Sequence, residues 1–184
     1  MATHRRLAES GPDYYPTPNW ATEALLKHEH FTGDIWEPAC GAGHMAEVLK
    51  RYGHKVIATD LYHRGYGRSG YDFTEFNLVD EVDNIITNPP FALAESFFAV
   101  GYKAAKRKLA LLLRLAFLES RRRHDSIFSK HPPARVWVFS ERLSMYPHGH
   151  SANSGGTTSY AWFVWDKESN SKPEICWLPP GLRQ

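Results

Sequence analysis

The run Leu109-Ala110-Leu111-Leu112-Leu113 constrains this chain most. It is apolar without alternation, so a strand over Lys108 to Leu115 is buried on both faces, as in the interior of a parallel sheet. Arg114 interrupts the run and keeps it short of a membrane span. Parallel strands need crossover connections, usually helices, and the rest of the chain supplies the pieces.

Ile35-Trp36, Val56-Ile57-Ala58 and Asn84 to Thr87 read as further short buried strands. Helical spacing joins Met45, Val48 and Leu49, with Gly53 as C-cap, and a second helix is predicted over Leu93 to Ala105. Thr17-Pro18 predicts a helix start, with Thr17 as cap and the helix ending near Gly33. Glu119 to Phe128 is predicted helical, and Pro132-Pro133 breaks the chain. Val136 to Phe139 and Tyr160 to Trp165 are two strands joined by a long loop, 141–159, rich in Gly, Ser and His; long loops are functional or mobile. Repeated strand-helix units predict an α/β fold with a largely parallel sheet and helices on both faces. Its ligands bind at the carboxyl ends of the strands.

Length fits one domain: 184 residues give a loose N-terminus over 1–12 and a single domain over 13–184. Net charge is +2, which demands no nucleic-acid partner. Two cysteines, Cys40 and Cys176, have no metal spacing, and none of the ten histidines forms a metal-ligating pair. The expectation is a protein of the cytosol with reduced thiols, no metal and no membrane partner, and with no obligate protein partner.

Four motifs fall just after strands. Glu37-Pro38-Ala39-Cys40-Gly41-Ala42-Gly43 runs from strand into helix. Its glycines allow close backbone approach to a ligand. The third glycine of a dinucleotide fingerprint is missing, because position 46 is Ala. Glu37 would repel a pyrophosphate and suits the cationic amino end of an amino-acid-like ligand. Asp60, followed by Leu61, ends the next strand, where an acid accepts hydrogen bonds from ribose hydroxyls. Asp72-Phe73 pairs an acceptor for an adenine amino group with a ring to cover its face; a turn Asp beside a core Phe is the rival reading.

Asn88-Pro89-Pro90-Phe91 carries the most specific chemistry. An aryl amine is a poor nucleophile because its lone pair is delocalised. Hydrogen bonds from both amine hydrogens, to the Asn88 side-chain oxygen and the Pro89 carbonyl, favour a more tetrahedral nitrogen. The two prolines keep the carbonyl aimed, which is preorganisation. Phe91 offers a stacking face.

In this order the two motifs resemble those of the amino-methylating, S-adenosylmethionine-dependent DNA methyltransferases, the small phage-type adenine-N6 group in particular. The resemblance spans Tyr14 to Asp166. It implies a Rossmann-like class I methyltransferase with a mostly parallel sheet of seven strands and a reversed C-terminal hairpin. It implies S-adenosylmethionine as cofactor, S-adenosylhomocysteine as product and DNA as partner. Tyr15, Thr17 and Pro18 resemble the element lining the methionine end of the cofactor pocket. Glu37 to Gly43 would hold the methionine moiety, Asp60 with Leu61 the ribose, Asp72-Phe73 the adenine, and Asn88 to Phe91 would be catalytic. Larger members carry a separate target-recognition domain for which this chain has no room. Recognition then falls to the 141–159 loop, with Arg142, Tyr146, His148 and His150, and to Arg121, Arg122 and Arg123 for phosphates; a surface loop without that role is the rival reading.

Three alternatives remain open at this level: adenine in RNA, the side-chain amide of a protein glutamine, and a cofactor-binding module without activity. Phe91 favours a nucleobase, since a ring stacks on a ring. An Asn at position 88 argues against pure binding.

Overall fold

A computed structural model describes residues 14–75, 81–145 and 158–181. The expected loose N-terminus, 1–12, and Tyr146, His148 and His150 lie outside them. Among the described residues one sheet holds eight strands in the order β3-β2-β1-β4-β5-β7-β6-β8. These are β1 (Ile35–Glu37), β2 (Val56–Asp60), β3 (Arg68–Ser69), β4 (Val82–Thr87), β5 (Ala105–Arg114), β6 (Arg135–Phe139), β7 (Tyr160–Asp166) and β8 (Glu174–Leu178). Three longer helices are α1 (Asn19–His28), α2 (His44–Arg51) and α3 (Ala94–Ala104). A 3-10 turn at Leu115–Leu118 leads to a helical turn, Arg121–Arg123, which widens into a π turn over His124–Phe128.

The α/β architecture follows from burial on two faces. Leu109, Leu111 and Leu113 of β5 pack with Phe97 and Phe98 of α3. Ala110 and Leu112 point the other way and join Leu25 of α1 and Met45 and Leu49 of α2. Leu111 and Leu112 are both fully buried, each stabilising the fold by about 1.5–3 kcal/mol.

Among the described strands β7 alone runs against its neighbours, which is the expected reversed hairpin with β6. One detail differs from expectation: β6 also pairs with a further strand, β8, in parallel. The eighth strand, β8, extends the expected seven. It lies at the edge with Ile175 and Trp177 more than half exposed, so burial does not announce it.

The first helix also departs from the reading above. Pro18 occupies the N-cap without a side-chain bond, and Thr17 is buried with its hydroxyl turned elsewhere. The helix stops at His28 because Glu29 turns extended and its carboxylate meets Arg135, Lys108 and the Trp137 indole. Gly33 instead makes the turn into β1, at φ 88°.

Candidate functional site

The carboxyl ends of β1, β2 and β4 open on a cavity of about 320 Å³, within the usual range for a small-molecule site. Glu37, Asp60, Asn88 and Phe91 all line it. Motifs far apart in sequence therefore meet at one place, because parallel strands end on the same side.

Asn88 follows β4 directly. Its Nδ2 donates to the Tyr15 carbonyl and to Thr17 Oγ1, both at 3.1 Å, and lies 3.6 Å from Met145 Sδ. Those acceptors fix the amide's orientation. Its Oδ1 is buried and has no partner among the described residues, and a buried acceptor in that state is costly unless a ligand satisfies it. Pro89 and Pro90 line the same cavity. Phe91 is half-buried and lies 5.6 Å from both Tyr15 and Tyr160, ring to ring.

Glu37 ends β1 and is buried, with Oε2 unpartnered among the described residues. Burial pushes its carboxyl well above the ordinary carboxylate range; a bond from the Ala46 amide opposes this, and the nearby Asp60 charge adds to it. A cation entering the cavity would find an acceptor already in place.

Asp60 is arranged differently. Its Oδ2 accepts from the Gly41 amide and its Oδ1 from the Tyr62 amide, each at 2.8 Å. Arg64 Nε stands 3.7 Å from Oδ1. The Arg64 guanidinium sits over the Tyr14 ring, 4.2 Å from its centroid. Tyr14 and Arg64 both line the cavity. Neither was marked by the sequence, because their contact joins the N-terminal segment to the loop after β2.

Gly41 and Gly43, expected to let backbone approach a ligand, are not on the cavity wall. Gly41 has φ 56°, and a Cβ there would lie 2.5 Å from the Tyr14 ring. Gly43 has φ 86°, and its Cβ would meet Tyr66 at 2.4 Å. The space they leave is filled by tyrosines, and the Gly41 amide is committed to Asp60. Pro38, Ala39 and Cys40, between Glu37 and these glycines, do line the cavity. Burial and the charges of Glu37 and Asp60 push the Cys40 thiol up to about 12.

Thr17 and Leu61 reach the wall, whereas Pro18 does not. Phe73 reaches it with a ring buried edge-on against Trp36. Asp72 is absent from the wall, and its Oδ1 accepts from the amide and hydroxyl of Thr74, closing a turn.

The predicted phosphate-binding arginines stand apart from this cavity. Arg121 is almost fully exposed, 3.8 Å from Asp125. Arg122 pairs with Glu95. Arg123 donates to the carbonyls of Ala116, Phe117 and Glu119, which makes it a brace for that turn. Arg142 is exposed, close to where Leu143 and Met145 pack into the core. Among the described residues no group of acids, histidines and cysteines could hold a metal, and no helix is long and apolar enough to cross a membrane.

No protein-family model matches the chain, and no curated protein matches its sequence. Solved structures do resemble it. A protein of Pyrococcus horikoshii assigned as an RNA methyltransferase superposes with a TM-score of 0.62 at 18% identity, over 84% of this chain and 87% of the other. The modification subunit assigned to a type I restriction enzyme of Vibrio vulnificus gives 0.59 at 14%, over 98% and 51%. A Listeria monocytogenes protein assigned as a class I S-adenosylmethionine-dependent methyltransferase gives 0.55 at 16%, over 86% and 61%. The chain thus spans only 51% of the Vibrio protein and 61% of the Listeria one. What these likenesses share is architecture: the chain has the Rossmann-like fold of class I methyltransferases.

Proposed function

We propose that this protein transfers a methyl group from S-adenosylmethionine to the N6 amino group of adenine in DNA. The single observation that carries the reading is the state of Asn88. Its amide nitrogen is held by Tyr15 and Thr17, and its oxygen is buried and unpartnered on a residue that lines the cavity. An acceptor prepared in this way suits an incoming NH2 group.

The rest of the cavity fits the proposed cofactor. Glu37 offers an orphaned carboxyl oxygen, on a group that ionises when it pairs with a cationic amino group. Asp60 stands at the end of β2 for the ribose, and Phe73 reaches the wall for the adenine. Bound there, S-adenosylmethionine supplies an electrophilic methyl carbon on a sulfonium. Asn88 Oδ1 and the Pro89 carbonyl accept the two amine hydrogens, and Phe91 supports the acceptor ring. Once the nitrogen has gained the methyl group, its surplus proton leaves to water, so no general base is required in the site. A target base in duplex DNA must flip out to reach Asn88, at about a few kcal/mol.

The resemblance in motif order and the fold of the restriction-modification neighbour support this substrate. The test is transfer of labelled methyl to unmodified DNA, RNA and protein in separate reactions, followed by identification of the labelled nucleoside or residue. N6-methyladenine in DNA is expected. Label found only on RNA, on glutamine or as N4-methylcytosine would overturn the substrate assignment. Asn88→Ala is expected to abolish transfer and largely spare cofactor binding.

A further inference from the structure

Phe91 and Ala92 line a second cavity as well, about 420 Å³ in volume. Leu113, Arg114, Phe117 and Arg123 complete its main wall. Phe91 therefore stands between two spaces: the cofactor cavity on one side and this groove on the other.

Arg114 is the last residue of β5, the strand next to β4. Its guanidinium lies over the Phe91 ring, 4.6 Å from the centroid, and donates to the Tyr160 hydroxyl. The side chain is exposed, and among the described residues no carboxylate stands within ion-pair distance of it. Arg123, the other cation in the groove, differs: backbone carbonyls hold it and Glu95 Oε1 is 3.5 Å away. One guanidinium is spent on shaping the wall, and the other is uncompensated.

A planar guanidinium held on an aromatic face keeps its N–H groups aimed outward. The same group binds phosphate with geometry a lysine cannot match. We infer that the groove beside Phe91 receives the sugar and phosphate of the nucleotide whose acceptor amine reaches Asn88 on the cavity side, and that Arg114 takes that phosphate. This rests on the methyl-transfer reading of Asn88 and narrows it to an anionic, planar acceptor. A glutamine side chain would need neither the cation nor the ring.

Arg114→Ala and Arg114→Lys separate the two roles. Steady-state kinetics on an adenine-containing duplex, binding of the same labelled duplex across salt concentrations, and calorimetry with S-adenosylmethionine are measured on wild type and both variants. The exposed position keeps both folded, which thermal unfolding verifies. For Arg114→Ala, KM for DNA is expected to rise at least about tenfold, and the salt slope of DNA binding to fall by about one. Cofactor affinity stays unchanged. Arg114→Lys is expected to restore the salt slope but not KM, because an ammonium cannot reproduce the bidentate contact.

An unchanged KM and salt slope in Arg114→Ala, with wild type active on DNA, overturns the role of Arg114 and leaves the methyl-transfer reading standing. Weakened cofactor binding in Arg114→Ala also overturns it, since that places the residue on the wrong side of Phe91. A wild type that methylates protein but no nucleic acid overturns both readings.

Discussion

The Thr17 hydroxyl lies 3.1 Å from Asn88 Nδ2, and together with the Tyr15 carbonyl it decides which end of that amide stays unpartnered. The segment before α1 thus sets the orientation of a group after β4. Thr17→Val removes one of the two oxygen acceptors without changing shape. It is expected to lower kcat about tenfold, corresponding to about 1.4 kcal/mol, with little change in cofactor affinity. Thr17→Ser should recover most of the loss. Single-turnover methylation with calorimetry alongside checks this.

Glu37 couples the cavity to pH. Burial raises its carboxyl well above the unfolded value, so stability from this group is complete below the unfolded value and is lost as pH rises through the raised one. Glu37→Gln should therefore raise Tm by roughly a few degrees near neutral pH, with the gain vanishing in acid. The same substitution should weaken cofactor binding. In wild type, pairing with a cation drives Glu37 to ionise, so binding releases a proton. Calorimetry in buffers of different ionisation enthalpy detects that release, and it should disappear in Glu37→Gln.

A buried charge cluster holds the far end of the β6–β7 pair. Glu29, almost fully buried, accepts from Arg135, Lys108 and Trp137, and Arg135 also reaches Asp166 at 2.7 Å. Glu29→Ala leaves the partly buried Arg135 and Lys108 short of a partner and is expected to cost about 3 kcal/mol by denaturant unfolding. Burial pushes the Glu29 carboxyl up, but the bonds from Arg135, Trp137 and Lys108 together hold it below its ordinary value. Its contribution is present above the unfolded value and lost as pH falls through the folded one. The difference between variant and wild type should shrink below about pH 4.

Cys40 lines the same cavity as Glu37 and Asn88 yet should resist alkylation. With its thiol pushed up to about 12, the thiolate fraction at pH 8 is on the order of 10⁻⁴. Mass spectrometry after brief iodoacetamide treatment should find label on the half-exposed Cys176 first. Cys40 should follow only upon unfolding.

Sequence carried the strands whose side chains are buried on both faces, because an unbroken apolar run has few other uses. It also carried the motifs, since parallel strands bring their carboxyl ends together. It did not carry β8, whose Ile175 and Trp177 face outward. Nor did it carry β3, two exposed residues paired to β2 by backbone alone. The contacts of Thr17 and the glycines were illegible for one reason. Each meets a partner distant in sequence: Asn88 for Thr17, Tyr14 for Gly41, Tyr66 for Gly43. Local rules offered Thr17 as a helix cap, and a tertiary contact overrode them. The Glu29 cluster was illegible in the same way, joining residues up to 108 positions apart.

The two ends of the 146–157 segment, finally, bear on protein engineering. Met145 touches Asn88 and Tyr160 touches Phe91, so the residues flanking that segment rest on the Asn88–Phe91 turn itself. A graft that exchanges the segment is therefore not a detachable module. Unless Met145 and Tyr160 are kept as the splice points, the exchange will disturb that turn as well.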